Sequence, residues 1–337
     1  MSLQLNILGD NVIITNRNNT LSCSCEEDKN NLCNHIQYFL ENKQKITKIK
    51  PIEKDKKIHY FFKTPINKIQ TIYILFIHII AFKSIYMLHS FQIFFHLLLW
   101  CFFSGIGITA GIHRLWAHRS YKATLPYRVF LMILTSISNQ GTIYHWCRDH
   151  RLHHKYADTE LDPHNIQRGF FYSHMGWLLL QKNKKIINEG KKIMTKDLLS
   201  DPVVRFNLQY NPYLNQFCCF ILPGLWGIWL LKSFWIGFFI LGFVRLVIVW
   251  HLTWTINSFA HMWGERPYKE IQPTDHIINS ILSSGEGWHN WHHTYPYDYA
   301  ASEHGICKQW NPTKLFIDFF WLLRQTYDHK RHIIKKN

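Results

Sequence analysis

An apolar core is missing from residues 1–33, so the stretch does not read as a secretory signal. A disulfide framework is missing as well. Of the 8 cysteines, Cys101, Cys218 and Cys219 lie inside apolar runs and Cys147 stands beside a group of histidines. They are expected as reduced thiols facing cytosol or lipid. Cys23, Cys25, Cys33 and His35 imitate a metal site, but their spacing fits no common zinc motif. Helical and strand periodicity are both weak over residues 1–55, which are expected to form a mobile tail. Acidic residues are few, 22 against 38 Lys and Arg in 337 residues, for a formal charge of +16. No nucleic-acid motif accompanies that excess, so nucleic acid is not expected as a partner.

What is present in quantity is aromatic and imidazole: 24 Phe, 16 Tyr, 14 Trp and 22 His. Apolar residues concentrate in four stretches, about 69–88, 91–110, 217–231 and 234–256. These read as two helical hairpins, the second turning at Lys232 and Ser233. Lys83, Lys232 and Arg245 are the basic residues inside them; the remaining Lys and Arg lie outside. By the positive-inside rule that outer side is cytosolic and holds both termini. Leu125–Ser138 is apolar but short, and is expected as an interfacial or re-entrant helix. Arg245 should face protein or snorkel to a polar partner. The expectation is an all-α polytopic membrane protein with four transmembrane helices and a helical cytosolic cap over residues 112–216 and 257–325. A polar tail over 1–62 precedes the main domain, 63–325, and a basic tail follows over 326–337.

The histidines carry the chemistry. His150, His153 and His154 stand at i, i+3 and i+4, which on a helix puts the three imidazoles on one face within about 100° of arc. His289, His292 and His293 repeat the spacing. His113 and His118 lie five apart, about 140° on an ideal helix, and reach one centre only if the helix ends or bends between them. His261 shares a helix face with Trp254 and Asn257. Neutral imidazole is the commonest side-chain ligand for transition metals. Nine histidines exceed the needs of one four-coordinate ion, so two adjacent metals fit the count better. His78 and His96 lie inside apolar stretches and are expected to be packed or hydrogen-bonded rather than ligands.

The strings GITAGIHRLWAHRSYKA, YHWCRDHRLHHKYADTELDPHN and SGEGWHNWHHTYPYDY resemble the membrane acyl-CoA desaturases of the stearoyl-CoA Δ9 type, over about residues 63–321. The resemblance implies two iron ions held by His113, His118, His150, His153, His154, His261, His289, His292 and His293, with Asn257 reaching one metal through water. It implies O2 as co-substrate, a cis double bond in a long-chain saturated acyl-CoA, and an endoplasmic reticulum membrane. Too little sequence follows Trp321 for a fused cytochrome b5 domain, so the expected electron source is separate cytochrome b5 with its NADH-dependent reductase. Trp146, Arg148, Asp149 and Trp254 match positions along the acyl-CoA path, and Lys182 matches a basic residue near the CoA phosphates. Gln181 departs from the basic residue of animal relatives, and Gly141 replaces their Asn. Cys101 and Gly105 fall where animal enzymes carry Tyr and Ala, which implies room for chains of eighteen carbons or more.

Two other readings compete. Another histidine-box oxygenase, such as a lipid hydroxylase or front-end desaturase, would share the metal centre, but NSFAH and RDHRLHH favour the acyl-CoA desaturase. A metal transporter would place its ligands at the bilayer midplane on broken helices, whereas these histidines cluster outside the apolar stretches.

Overall fold

The computed structural model describes residues 64–268 and 273–334, and the backbone of three strands near the N-terminus. The chain divides into two units, residues 1–51 and 52–337. In the first, Ser2–Ile7, Asp10–Arg17 and Thr20–Cys23 form an antiparallel meander in which Leu3 pairs with Ile14 and Thr15 with Ser22. The expectation of little strand periodicity is corrected at these positions. Leu3, Leu5 and Ile7 alternate with polar residues, and Val12–Ile14 is a run of β-branched residues; that period of two and that composition are strand signals. Cys25, Cys33 and His35 lie outside the described residues.

In the second unit four helices are long and apolar enough to cross a membrane: Lys68–Met87, Phe91–Ala117, Tyr213–Leu231 and Phe234–His261. Side-chain caps set the starts of the first, second and fourth. Asn67 accepts from the Gln70 N–H, Ser90 from the Ile93 N–H and Ser233 from the Ile236 N–H. Lys232 takes the left-handed conformation, φ 55°, and closes the third helix just before Ser233 opens the fourth. The turn therefore falls where the sequence places it.

The second and fourth helices run further than their apolar stretches. Phe91–Ala117 has 27 residues, about 40 Å at α-helical rise against a hydrocarbon core of about 30 Å. The surplus lies at the histidine-bearing ends. Leu125–Ser138, with 14 residues, rises only about 21 Å and cannot cross. It packs on the second helix at Gly107, where a Cβ would strike the Leu134 carbonyl, and Thr135 Oγ1 donates to the Gly107 carbonyl at 2.7 Å.

Arg245 is fully buried and faces protein. It donates to the carbonyls of Leu241, Ile137 and Cys219 at 2.8, 2.6 and 2.8 Å, tying its own helix to Leu125–Ser138 and to the third helix. His96 receives the Trp226 indole N–H, and His78 contacts the Ile74 carbonyl and His251. Thr326–Tyr327 pairs with Lys122–Ala123, after which the Lys330 N–H donates to the Ser120 carbonyl and Arg331 donates to Asp298.

Candidate metal centre

The first pair of histidines is brought together by winding rather than by a break. Gly107–Ala117 is a π-helix continuing the second span, and the His118 N–H donates to the His113 carbonyl at 3.0 Å. A π-turn closes over five residues, so i and i+5 come onto one face. The two rings lie 4.8 Å apart. His150, His153 and His154 stand on Ile143–Tyr156, whose first turn is capped by Thr142. His289, His292 and His293 stand on His289–Thr294, where Asp275 accepts from the Asn290 and Trp291 N–H groups. His261 ends the fourth helix.

All nine converge, in two groups. His113, His118, His150, His154 and His292 form one; His153, His261, His289 and His293 form the other. Within each group the ligand atoms lie within 4.8 Å of one another. The Nε2 atoms of His118 and His150 are 2.8 Å apart, those of His113 and His292 3.0 Å, and those of His261 and His289 3.1 Å. Each trio is divided. His150 and His154 go to one group and His153 to the other; His289 and His293 go together and His292 crosses over. The i, i+4 pair of a trio thus serves one centre and the middle residue serves its neighbour.

Carboxylates fix the outward nitrogens. His113 Nδ1 lies 3.0 Å from Glu286, His153 Nδ1 2.9 Å from Asp162 and His261 Nδ1 3.0 Å from Asp158. A carboxylate accepts from an imidazole N–H, so each of these rings carries its proton on Nδ1 and turns an Nε2 lone pair inward. Lone pairs facing one another at about 3 Å are reconciled by a cation between them. The donor set therefore fits metal ions.

Burial is the first cause, and neighbouring imidazoles the second, holding His118, His150, His154, His289, His292 and His293 well below the usual histidine pKa. They stay neutral and ready to ligate. For His153 burial is again the largest single effect and lowers the pKa, but the charge and hydrogen bond of Asp162 with the charge of Asp158 together raise it. Glu286 is buried too, and Arg114 with His113 nevertheless holds its carboxyl down at about 2. Arg114 itself is fully enclosed and bonds Glu286 at 2.7 Å.

Sequence reasoning named the nine histidines but passed over Glu286, Asp158, Asp162 and His164. The last joins His153 and Asp162 in a third, smaller group. A signal was available for two segments, since Asp158 and Asp162 follow His154 closely and Glu286 shortly precedes His289; His113 and His118 have no acid nearby in sequence, and Glu286 reaches His113 only through the fold.

The other named residues are placed as follows. Trp146 stacks on His150, centroids 4.8 Å apart, and donates to Gln140, which in turn donates to Thr253. Arg148 bonds Asp149 at 2.9 Å, and Lys182 bonds the other Asp149 oxygen, so the three form one charged cluster. Trp254 is buried and stacks on Trp250 at 5.6 Å. Asn257 lies one turn before His261, and its backbone carbonyl accepts from Ser173. Cys101 is half-buried one turn before Gly105, where an added Cβ would stand 3.3 Å from Ser284 Oγ.

Fold and site together define a mostly helical, multi-pass membrane protein with buried histidine clusters able to hold metal. The fatty acid desaturase family profile matches residues 90–304. Stearoyl-CoA desaturase 5 of Bos taurus is 48% identical over 241 residues, 69% of this chain and 71% of that protein. The human protein of the same name is 46% identical over 241 residues, 69% of this chain and 72% of its own. Delta(9)-fatty-acid desaturase fat-6 of Caenorhabditis elegans is 47% identical over 230 residues, covering 68% and 67%. The chain belongs to the fatty acid desaturase family and is an oxidoreductase.

Proposed function

We propose that this chain inserts a cis double bond at Δ9 into a long-chain saturated acyl-CoA such as stearoyl-CoA. The observation that carries the reading is the pair of adjacent four- and five-histidine groups, with lone pairs inward and carboxylates behind. The names of the relatives above supply the substrate class. Two iron ions would be held by the nine histidines, with Asn257 reaching one of them through water. Bound iron supplies reductive activation of O2, which side-chain acid–base chemistry cannot. The balance is acyl-CoA, O2, two electrons and two protons giving unsaturated acyl-CoA and two waters.

The protein's own residues bind and register. Arg148, Asp149 and Lys182 lie on or beside the Ile143–Tyr156 helix and offer paired charges to the CoA headgroup. Trp146, on the same helix as three of the ligands, stacks against His150 and lines the acyl path with Trp254. Metal and acyl chain are thus set against each other by one helix. Cys101 and Gly105, on the second span, set the far end of that path. The 38 Lys and Arg against 22 acids suit an acidic redox partner, a separate cytochrome b5 served by its NADH-dependent reductase. Residues 63–325 are the catalytic domain, in the endoplasmic reticulum membrane with both termini cytosolic.

Expression in desaturase-deficient yeast, followed by lipid analysis, tests the reading. A Δ9 monoene is expected; hydroxylated lipid, or no new product, overturns it.

A further inference from the structure

Residues 329–332 run between the first and third histidine segments, and we propose that they act as a strap in which Arg331 is a positioning residue for the metal centre. The inference rests on the metal-centre reading above and adds to it a segment outside every histidine motif. The Arg331 guanidinium donates to both oxygens of Asp298, at 2.9 and 2.8 Å, and to the Ser302 and Glu303 carbonyls. The Asp298 side chain has no exposure. It also receives the Trp291 indole N–H at 3.3 Å and the His332 N–H at 3.2 Å. Trp291 is fully buried and sits between His289 and His292 on their helix.

The neighbouring residue holds the other side. The Lys330 N–H donates to the Ser120 carbonyl at 2.9 Å, its ammonium donates to the Arg119 carbonyl at 2.9 Å, and its own carbonyl receives the Tyr299 N–H at 2.9 Å. Arg119 and Ser120 directly follow His118, and Tyr299 directly follows Asp298. The strap therefore joins the end that carries His118 to the helix that carries His292, and both residues belong to the same five-histidine group. Metal–ligand distances tolerate only about 0.2 Å. A shift of Trp291 that the fold absorbs would still separate His292 from His118. Without the guanidinium, Asp298 stays buried against weaker donors, and a carboxylate so placed moves to find others.

The test uses the full chain in detergent with Co2+ as the probe, whose visible absorption reports both affinity and coordination geometry. The unmodified chain is expected to bind two ions. Arg331→Met should weaken Co2+ binding about tenfold or more, the range for residues that orient ligands, and should alter the visible band while metal-free thermal stability falls only modestly. Arg331→Lys keeps the charge without the two-pronged geometry and should lose about threefold, between the two. Cobalt affinity unchanged in Arg331→Met, whatever happens to stability, overturns the strap alone. No cobalt binding by the unmodified chain overturns the metal-centre reading and the strap with it. Should Arg331→Met fail to fold, Arg331→Lys decides: weakened affinity supports the strap and unchanged affinity overturns it.

Discussion

The backbone N–H of His118 donates to the carbonyl of His113 at 3.0 Å, so the two histidines are consecutive rungs of a π-helix. Their five-residue spacing is a misfit on an α-helix and a match on this one. The winding lets a membrane-spanning helix run on without a break and still deliver both imidazoles to one group. His118→Ala should therefore remove a ligand without unwinding the segment. Turnover should be lost and metal content should drop from two ions towards one per chain by mass spectrometry. A variant that keeps two ions and full turnover would take His118 out of the site.

Asp162 orients a proposed ligand, and that role can be separated from ligation itself. It holds His153 Nδ1 at 2.9 Å and also accepts the Asp158 and His164 N–H groups. Asp162→Asn keeps the shape but has one acceptor oxygen where Asp162 uses two, so it gives up one of those backbone bonds as well as the charge that favours an inward lone pair on His153. Metal affinity is expected to fall about 10- to 100-fold, with the helical circular dichroism unchanged. Equal affinity in the two proteins would make Asp162 structural only.

The trios were legible because spacing on a helix is a property of sequence. The hairpin turn at Lys232 and Ser233 was legible for the same reason. Their division between two centres was not, since His153 and His154 are neighbours in the chain yet serve different groups. That assignment depends on how separate helices approach, and so does the pairing of Arg114 with Glu286, 172 residues apart. The π-winding was hidden because periodicity arguments assume α geometry, and under that assumption a five-residue spacing reads as a break. The N-terminal strands escaped because their aliphatic residues come in short runs broken by Asn.

Loss of metal should leave an acid-sensitive protein. Six of the nine histidines have folded-state pKa values well below the usual 6.5, from burial first and neighbouring imidazoles second. Below 6.5 the unfolded chain takes up protons that the folded chain refuses, so stability falls as pH falls. His153, raised by Asp162, opposes this with one group only. After chelation the thermal midpoint should drop as pH is lowered from 7.5 through 6.5 to 5.5. Adding Fe2+ at pH 7.5 under reducing conditions should raise it, by about 4 kcal/mol of binding stabilisation at a thousand times Kd. A metal-free midpoint flat across that range would contradict the neutral, buried state of the six imidazoles.

Chain length gives the sharpest check on the acyl path. Cys101 is half-buried on the second span, and Gly105 follows one turn later on the same face. Replacing the thiol with a phenol ring at Cys101 would fill space at the end of the proposed path, so Cys101→Tyr should shift products from eighteen carbons towards sixteen and shorter. Gly105→Ala is a gentler probe. Its Cβ would stand 3.3 Å from Ser284 Oγ, close enough that the hydroxyl must move by a few tenths of an ångström. It should fold normally, since Ala favours helix over Gly by about 1 kcal/mol, and should disfavour the longest chains only. Both variants are assayed with an equal mixture of sixteen-, eighteen- and twenty-carbon acyl-CoA, and the monoenes are separated by gas chromatography. Product ratios matching the unmodified enzyme in both would place the end of the path elsewhere. A shift in Cys101→Tyr alone would keep the path along the second span and end it before Gly105.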